Sequence, residues 1–199
     1  MLKPILIVVA GPNGAGKTTI TEKLLLHEWI GDCVYINPDF IAQQVFGDWN
    51  SPEAIIKAAN RAKEMRENCI ANMKSMAFET VFSTQEKVQF VKRAKAAGFF
   101  IRLFFICTND PSINAQRVAL RVMGGGHDVP ISKIISRYYR SLTNCAEVTP
   151  LIDRAYFYDN SETDADPSLI FRVADGKIVK TYREIAIWAR DIVDSLARA

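Results

Sequence analysis

Apolar and polar positions along this chain follow two periods that alternate from the first residues to the last. Residues 4–10 (PILIVVA) are apolar without a break, the pattern of a strand covered on both faces. The stretch 18–27 has amphipathic helical spacing. A second short apolar segment, Cys33–Ile36, runs into Asn37-Pro38-Asp39. A capping side chain, a proline suited to the first helical position and an acid in the first turn predict a helix reaching about residue 46. Between Pro52 and Ser75, Ile55, Ala59, Ala62, Met65, Cys69, Ile70 and Met73 recur at intervals of three and four, which predicts a long helix. A strand at 76–82 follows, then a helix at 86–97 closed by Gly98 as its C-terminal cap. The nearly continuous apolar run 99–107 predicts a central strand, with Phe99-Phe100 and Phe104-Phe105 as core rather than as platforms for stacked bases. Helices at 111–123 and 131–142 flank Gly124-Gly125-Gly126, and a fifth strand covers 155–158. Segments 169–173 and 178–181, joined through Ala174-Asp175-Gly176-Lys177, predict a hairpin with a type I′-like turn, and a last helix runs over 183–196. Strand–helix alternation of this kind predicts a three-layer α/β fold with a mainly parallel sheet, here as one domain over residues 1–199.

One segment of this pattern carries chemistry directly. Gly11-Pro12-Asn13-Gly14-Ala15-Gly16-Lys17-Thr18-Thr19 fits G-x-x-x-x-G-K-[ST] at every fixed position, and it lies between a predicted strand and a predicted helix, where a phosphate-binding loop belongs. Glycines let backbone N–H groups turn inward around phosphate oxygens, and the helix N-terminus adds positive potential. Lys17 is placed to reach the β- and γ-phosphates, and the Thr18 hydroxyl to hold Mg²⁺. The chain is therefore expected to bind a nucleoside triphosphate. No N-K-x-D guanine signature occurs, which favours ATP.

Ligands of open α/β sheets sit beyond the carboxyl ends of the strands, so the residues there are the remaining candidates. Asp39 follows strand two. It suits the helix dipole in its first turn, and it also stands beside the expected γ-phosphate, where a carboxylate can take a proton from an acceptor hydroxyl. Glu79, on strand three with Thr80 and Ser83 nearby, is a carboxylate in an expensive place unless paired with Lys17, a lid arginine or a water-bound Mg²⁺; the alternative is a solvated edge strand. Strand four leads to Thr108-Asn109-Asp110, and strand five to Asp159-Asn160-Ser161. Arg117 and Arg121 share one helical face, and Arg137 and Arg140 lie opposite the apolar stripe Ile131, Ile134, Ile135, Tyr138, Leu142 of the next helix. Two basic faces around a glycine hinge fit a lid over residues 111–142 that closes on phosphates; solvated helix faces give the same pattern. His127, just after the glycines, is a candidate for substrate contact or for capping the hinge, and His27 reads as a dipole partner late in the first helix.

Composition narrows the setting. A net charge of +3, from 25 basic and 22 acidic residues without a basic block, gives no reason to expect nucleic acid. Cys33, Cys69, Cys107 and Cys145 form no C-x-x-C pair, which argues against zinc or a redox dithiol and for reduced thiols in a cytoplasmic protein. The seven apolar residues of the first strand run straight into the loop, too short for a signal peptide or a membrane span.

Taken together and in order, GPNGAGKTT, NPDFIA, FETVFST, RVALRVMGGGHDVP and ISRYYRSL resemble the zeta toxin family of kinases, in its compact bacterial branch, from about residue 4 to 161. The resemblance implies a nucleoside-monophosphate-kinase-like core and ATP/Mg²⁺-dependent phosphorylation of a hydroxyl on a nucleotide sugar, the 3′-hydroxyl of UDP-N-acetylglucosamine in characterised zeta toxins. It also implies a small antitoxin, here a separate chain, that obstructs the nucleotide site. Carried over by position, Lys17 and Thr18 match the ATP/Mg²⁺ residues, Asp39 the general base and Glu79 the acid near the acceptor. Arg117, Arg121 and Arg137 fall where the family has its lid arginines, and Asp159-Asn160-Ser161 resembles the loop over the nucleotide base. Two other readings remain open at this point: the same transfer to an antibiotic, a sugar or a polynucleotide 5′-hydroxyl, and an ATPase switch with no acceptor.

Overall fold

The computed structural model describes residues 3–45, 51–124 and 129–198. Seven strands form one sheet: β1 (Ile5–Ala10), β2 (Val34–Ile36), β3 (Met76–Thr80), β4 (Phe100–Cys107), β5 (Arg154–Asp159), β6 (Ser168–Ala174) and β7 (Lys177–Thr181). Their order is β2-β3-β1-β4-β5-β6-β7. The first five are parallel, and β6 and β7 run antiparallel as a hairpin on one side. The expected mainly parallel three-layer α/β fold is therefore observed.

Parallel pairing places the C-terminal ends of β1, β3, β4 and β5 side by side. Val9 lies opposite Glu79, Ala10 opposite Phe105, and Cys107 opposite Asp159. The helices are α1 (Lys17–Leu25), α2 (Pro38–Val45), α3 (Pro52–Ala71), α4 (Gln85–Ala96), α5 (Pro111–Met123), α6 (Ile131–Val148) and α7 (Arg190–Ala197). One sheet face packs Leu6, Phe78, Phe105, Phe157 and Phe171 against residues of α3, α4, α6 and α7; the other packs Ile7, Val9, Phe104 and Ile106 against α1 and Trp29. Strands buried on both faces explain the unbroken apolar runs of β1 and β4.

Local signals fall where expected. Asn37 Oδ1 accepts from the Asp39 N–H at 2.8 Å, capping α2 behind Pro38. Gly98 has φ +93°, and the Phe99 N–H reaches back to the Ala94 carbonyl at 3.1 Å, a Schellman end to α4. Asp175 and Gly176 have φ of 48° and 73°, as a type I′ turn requires.

Several boundaries differ from the sequence expectation. Helix α1 stops at Leu25, so His27 is not its C-terminal partner; His27 instead caps the following turn, its Nδ1 accepting from the Trp29 N–H at 3.2 Å. Helix α3 ends at Ala71 and β3 at Thr80, short of Ser75 and Phe82. Helix α6 continues to Val148 because Asn144, Cys145 and Val148 keep a buried face beyond Leu142. The last helix begins at Arg190, since Tyr182 and Arg183 both donate their N–H to the Ile170 carbonyl, which holds that stretch extended along β6.

The β6 strand is part of the core, with Phe171 stacked on Phe157 at 4.3 Å between centroids and both fully buried. Replacing Phe157 by Ala should cost about 3–5 kcal/mol, read as a lowered urea midpoint with unchanged slope. A cost below about 1 kcal/mol would contradict this core assignment.

Candidate active site

The phosphate loop begins where β1 ends, and two neighbouring elements hold it open. Gly14 (φ +75°) leaves no room for a side chain, because a Cβ would stand 2.6 Å from the Asn114 carbonyl oxygen on α5. Gly16 (φ +91°) is crossed by the Asn160 side-chain amide, which a Cβ would overlap. Both asparagines then bond the loop. Asn114 Nδ2 donates to the Asn13 carbonyl at 2.6 Å, and Asn160 Nδ2 donates to the Ala15 carbonyl at 2.9 Å. Behind Asn114 the Thr108 hydroxyl is shared between Asn114 Oδ1 and the Asp110 carbonyl, while the Tyr138 hydroxyl of α6 donates to the Thr108 carbonyl at 2.6 Å. This buried polar chain ties α5, α6 and β4 to the loop, and each link occupies a group that would otherwise be costly to bury.

Lys17 opens α1 and is 9% exposed. Its ammonium donates to the Pro12 carbonyl at 2.9 Å and forms no ion pair among the described residues. Burial pulls its pKa below the ordinary lysine value; Glu79 opposes that shift and Arg121 adds to it. Lysine with so few protein partners is ready to exchange its carbonyl contact for phosphate oxygens. Thr18 and Asp39 are exposed and line one cavity of about 640 Å³, together with Gly14, Gly16, Lys17, Glu79, Thr80, Arg117 and Arg121.

Glu79 lies on an interior strand, between β2 and β1 in the sheet, so the edge-strand alternative does not apply. Its partner is one the sequence did not single out: Thr21 Oγ1 donates to Glu79 Oε2 at 2.9 Å. The Thr80 hydroxyl accepts from the Phe82 N–H at 3.1 Å, which fixes the turn after β3. Ser83 does not line the cavity. Of the arginines, Arg117 is already engaged, its two terminal nitrogens donating to the carbonyls of Asn160 (2.8 Å) and Glu162 (2.9 Å). Arg121 is exposed on the cavity wall, and Arg137 reaches Asn13 Oδ1 at 3.4 Å. The stripe on α6 is only partly buried: Ile134 and Tyr138 are covered, Ile131 and Ile135 exposed. His127 and the glycines 125 and 126 lie outside the described residues. Sequence reasoning also missed Gln43, Val81, Val118 and Val129 on the cavity wall. Gln43, on the helix that Asp39 opens and one turn on from it, carried a helical-spacing signal; the valines carried none.

A second cavity of about 410 Å³ lies on the far side of Asn160, walled by the loop after β5 and by residues 183–187 and Arg190. Asp159 Oδ2 there accepts from Trp188 Nε1 at 2.8 Å and from Ser161 Oγ at 2.9 Å, so the loop after β5 is held by the C-terminal segment. Buried thiols take no part in either cavity: burial pushes Cys107 up to about 12, and no cluster of metal-ligating side chains occurs among the described residues.

The described fold resembles several solved structures. The AvrRxo1-ORF1:AvrRxo1-ORF2 complex with sulphate ions superposes with a TM-score of 0.70 at 16% identity, over 96% of this chain and 64% of the other, so this chain spans under two thirds of that protein's length. The same pair has been crystallised with ATP, at a TM-score of 0.69. A chain of the PezAT chromosomal toxin–antitoxin system of Streptococcus pneumoniae matches with a TM-score of 0.63 and 18% identity, over all of this chain and 85% of the other. An uncharacterized protein of Haemophilus influenzae is 31% identical over 134 residues, which are 66% of this chain and 91% of that protein. The zeta toxin family matches residues 1–165, which carry the phosphate loop, Asp39, Glu79, helices α5 and α6, and Asn160. The chain belongs to the zeta toxin family.

Proposed function

We propose that this protein is an ATP-dependent phosphotransferase that moves the γ-phosphoryl group to a hydroxyl of a nucleotide sugar, with the 3′-hydroxyl of UDP-N-acetylglucosamine as acceptor. One observation carries the reading: Lys17, Thr18, Asp39 and Glu79 all line a single cavity, so a phosphate-binding pair and two carboxylates share one space. A nucleotide switch needs Lys17, Thr18 and one carboxylate toward Mg²⁺, whereas a second carboxylate, Asp39 on the helix after β2, suits proton transfer from an acceptor hydroxyl. Membership of the zeta toxin family and the ATP complex of the AvrRxo1 pair support the donor.

In this reading the loop amides and Lys17 bind the β- and γ-phosphates. Thr18 is the side chain placed to hold Mg²⁺, which when bound screens the charge between donor and acceptor. Glu79 orients the acceptor, and Asp39 takes the proton from its hydroxyl as the oxygen attacks in line. Arg121 supplies positive charge from the cavity wall, whereas Arg117 closes the loop after β5 over the nucleotide, beside Asn160. Zeta toxin family membership and the PezAT toxin–antitoxin neighbour support a toxin role with a separate antitoxin chain.

Incubation with Mg-ATP and UDP-N-acetylglucosamine should yield a sugar nucleotide heavier by one phosphoryl group, read by mass spectrometry. Replacing Asp39 by Asn should lower turnover by about 10²-fold or more and leave ATP affinity near the parent value. Wild-type turnover in that variant would remove Asp39 as the base, and ATP consumption only with some other metabolite would replace the acceptor. Lys17→Met should abolish nucleotide binding while stabilising the ligand-free fold by about 1 kcal/mol, because it removes a buried ammonium with one carbonyl partner. A lower melting temperature in that variant would show that Lys17 supports the fold instead.

A further inference from the structure

Lys17 and Thr21 are four residues apart on α1 and so share one helical face, and both are buried, at 9% and 4% exposure. Glu79 approaches that face from β3, opposite Val9 of β1. Its carboxylate is first among the charges that act on the Lys17 ammonium. Opposite charges that share one cavity, with the ammonium buried, attract each other. A direct Lys17–Glu79 pair would have to be broken before phosphate could take the ammonium, and nucleotide affinity would fall by that amount. The structure holds the two apart. Glu79 Oε2 accepts from Thr21 Oγ1 at 2.9 Å, and Lys17 Nζ donates to the neutral Pro12 carbonyl at 2.9 Å.

We propose that Thr21 is a positioning residue: its hydroxyl keeps Glu79 on the acceptor side of the cavity and prevents it from closing on Lys17. The proposal rests on nucleotide binding at the phosphate loop and needs no knowledge of the acceptor. It assigns one helix face two tasks, phosphate capture by Lys17 and restraint of the only carboxylate that competes with phosphate for that lysine among those acting on it.

The test is calorimetric titration with a non-hydrolysable ATP analogue and Mg²⁺, without acceptor. Thr21→Val keeps the β-branched shape and removes the donor; it should weaken binding about tenfold, or 1.4 kcal/mol. Thr21→Ser retains the donor and should stay within about threefold of the parent. Adding Glu79→Gln to Thr21→Val removes the competing charge and should bring affinity to within about twofold of Glu79→Gln alone. Because Glu79→Gln alone removes a negative charge beside the triphosphate, that single variant is the reference. A purely structural Thr21 would leave the double variant weaker than Glu79→Gln by the same factor as Thr21→Val is weaker than the parent, whereas the proposal expects the two to bind alike. Parent-like binding by Thr21→Val, or a double variant weaker than Glu79→Gln by that factor, overturns the proposal. Should Thr21→Val fail to fold, Thr21→Ala is read in the same way. Failure of the parent protein to bind the analogue is a separate result, which overturns the phosphate-loop reading before any variant is compared.

Discussion

Everything at this site depends on a loop that cannot hold its own shape. A phosphate loop must turn backbone N–H groups toward an empty centre, so few of its amides have backbone partners (here Gly11 with the Thr80 carbonyl and Ala15 with the Pro12 carbonyl), and its glycines contribute no side-chain contacts. Here the restraint comes from outside. Asn114 and Asn160 each donate to a loop carbonyl, Asn13 and Ala15 respectively, from helix α5 and from the loop after β5. The loop's carbonyls are fixed so that its N–H groups remain available. The glycines are needed as much for these crossing asparagines as for phosphate, since a Cβ at Gly14 or Gly16 would strike one of them.

This arrangement links the site to distant elements. Tyr138 on α6 supports Thr108, Thr108 supports Asn114, and Asn114 supports the loop. On the other side Trp188 holds Asp159, next in sequence to the Asn160 that spans Gly16. Residues 166–198 lie beyond the part of the chain that matches the zeta toxin family, yet they wall one cavity and complete the core through Phe171 and Trp188. Asn160 walls the second cavity and Arg117 the cavity at the phosphate loop, and the two residues are in contact; Asn160 also holds the Ala15 carbonyl, which joins the loop after β5 to the phosphate loop.

Legibility in the sequence followed the range of each interaction. The phosphate loop, the Asn37 cap, the Gly98 helix end and the Asp175-Gly176 turn obey rules confined to short continuous stretches of chain, and all appear as read. The ends of α1 and α7 did not. Leu24, Leu25 and Leu26 continue an apolar helical pattern, but Leu26 is 91% exposed and the chain leaves the helix for the His27 cap. The 183–189 stretch has helical composition, but Tyr182 and Arg183 both donate to the Ile170 carbonyl, so the chain is still tied to β6 there and the helix starts only at Arg190. Asp39 and Glu79 were visible as candidates because strand ends in this topology converge. Thr21 was not, because its meaning comes from a residue 58 positions away. Ser83 was adjacent in sequence to the cavity but is carried past it by the turn after β3.

The sheet ends in two unequal borders. On one side β2 offers three residues, too short a template for another chain. On the other, β7 presents five residues, all exposed, with one long side of peptide groups unpaired within the sheet. Two of those five are Lys177 and Lys180, and the ladder slips between Arg172 and Val173 where β6 meets β7. A second copy approaching in register would bring lysine against lysine on a kinked border. The hairpin that finishes the core is thereby also the device that discourages the protein from growing into a continuous sheet with itself.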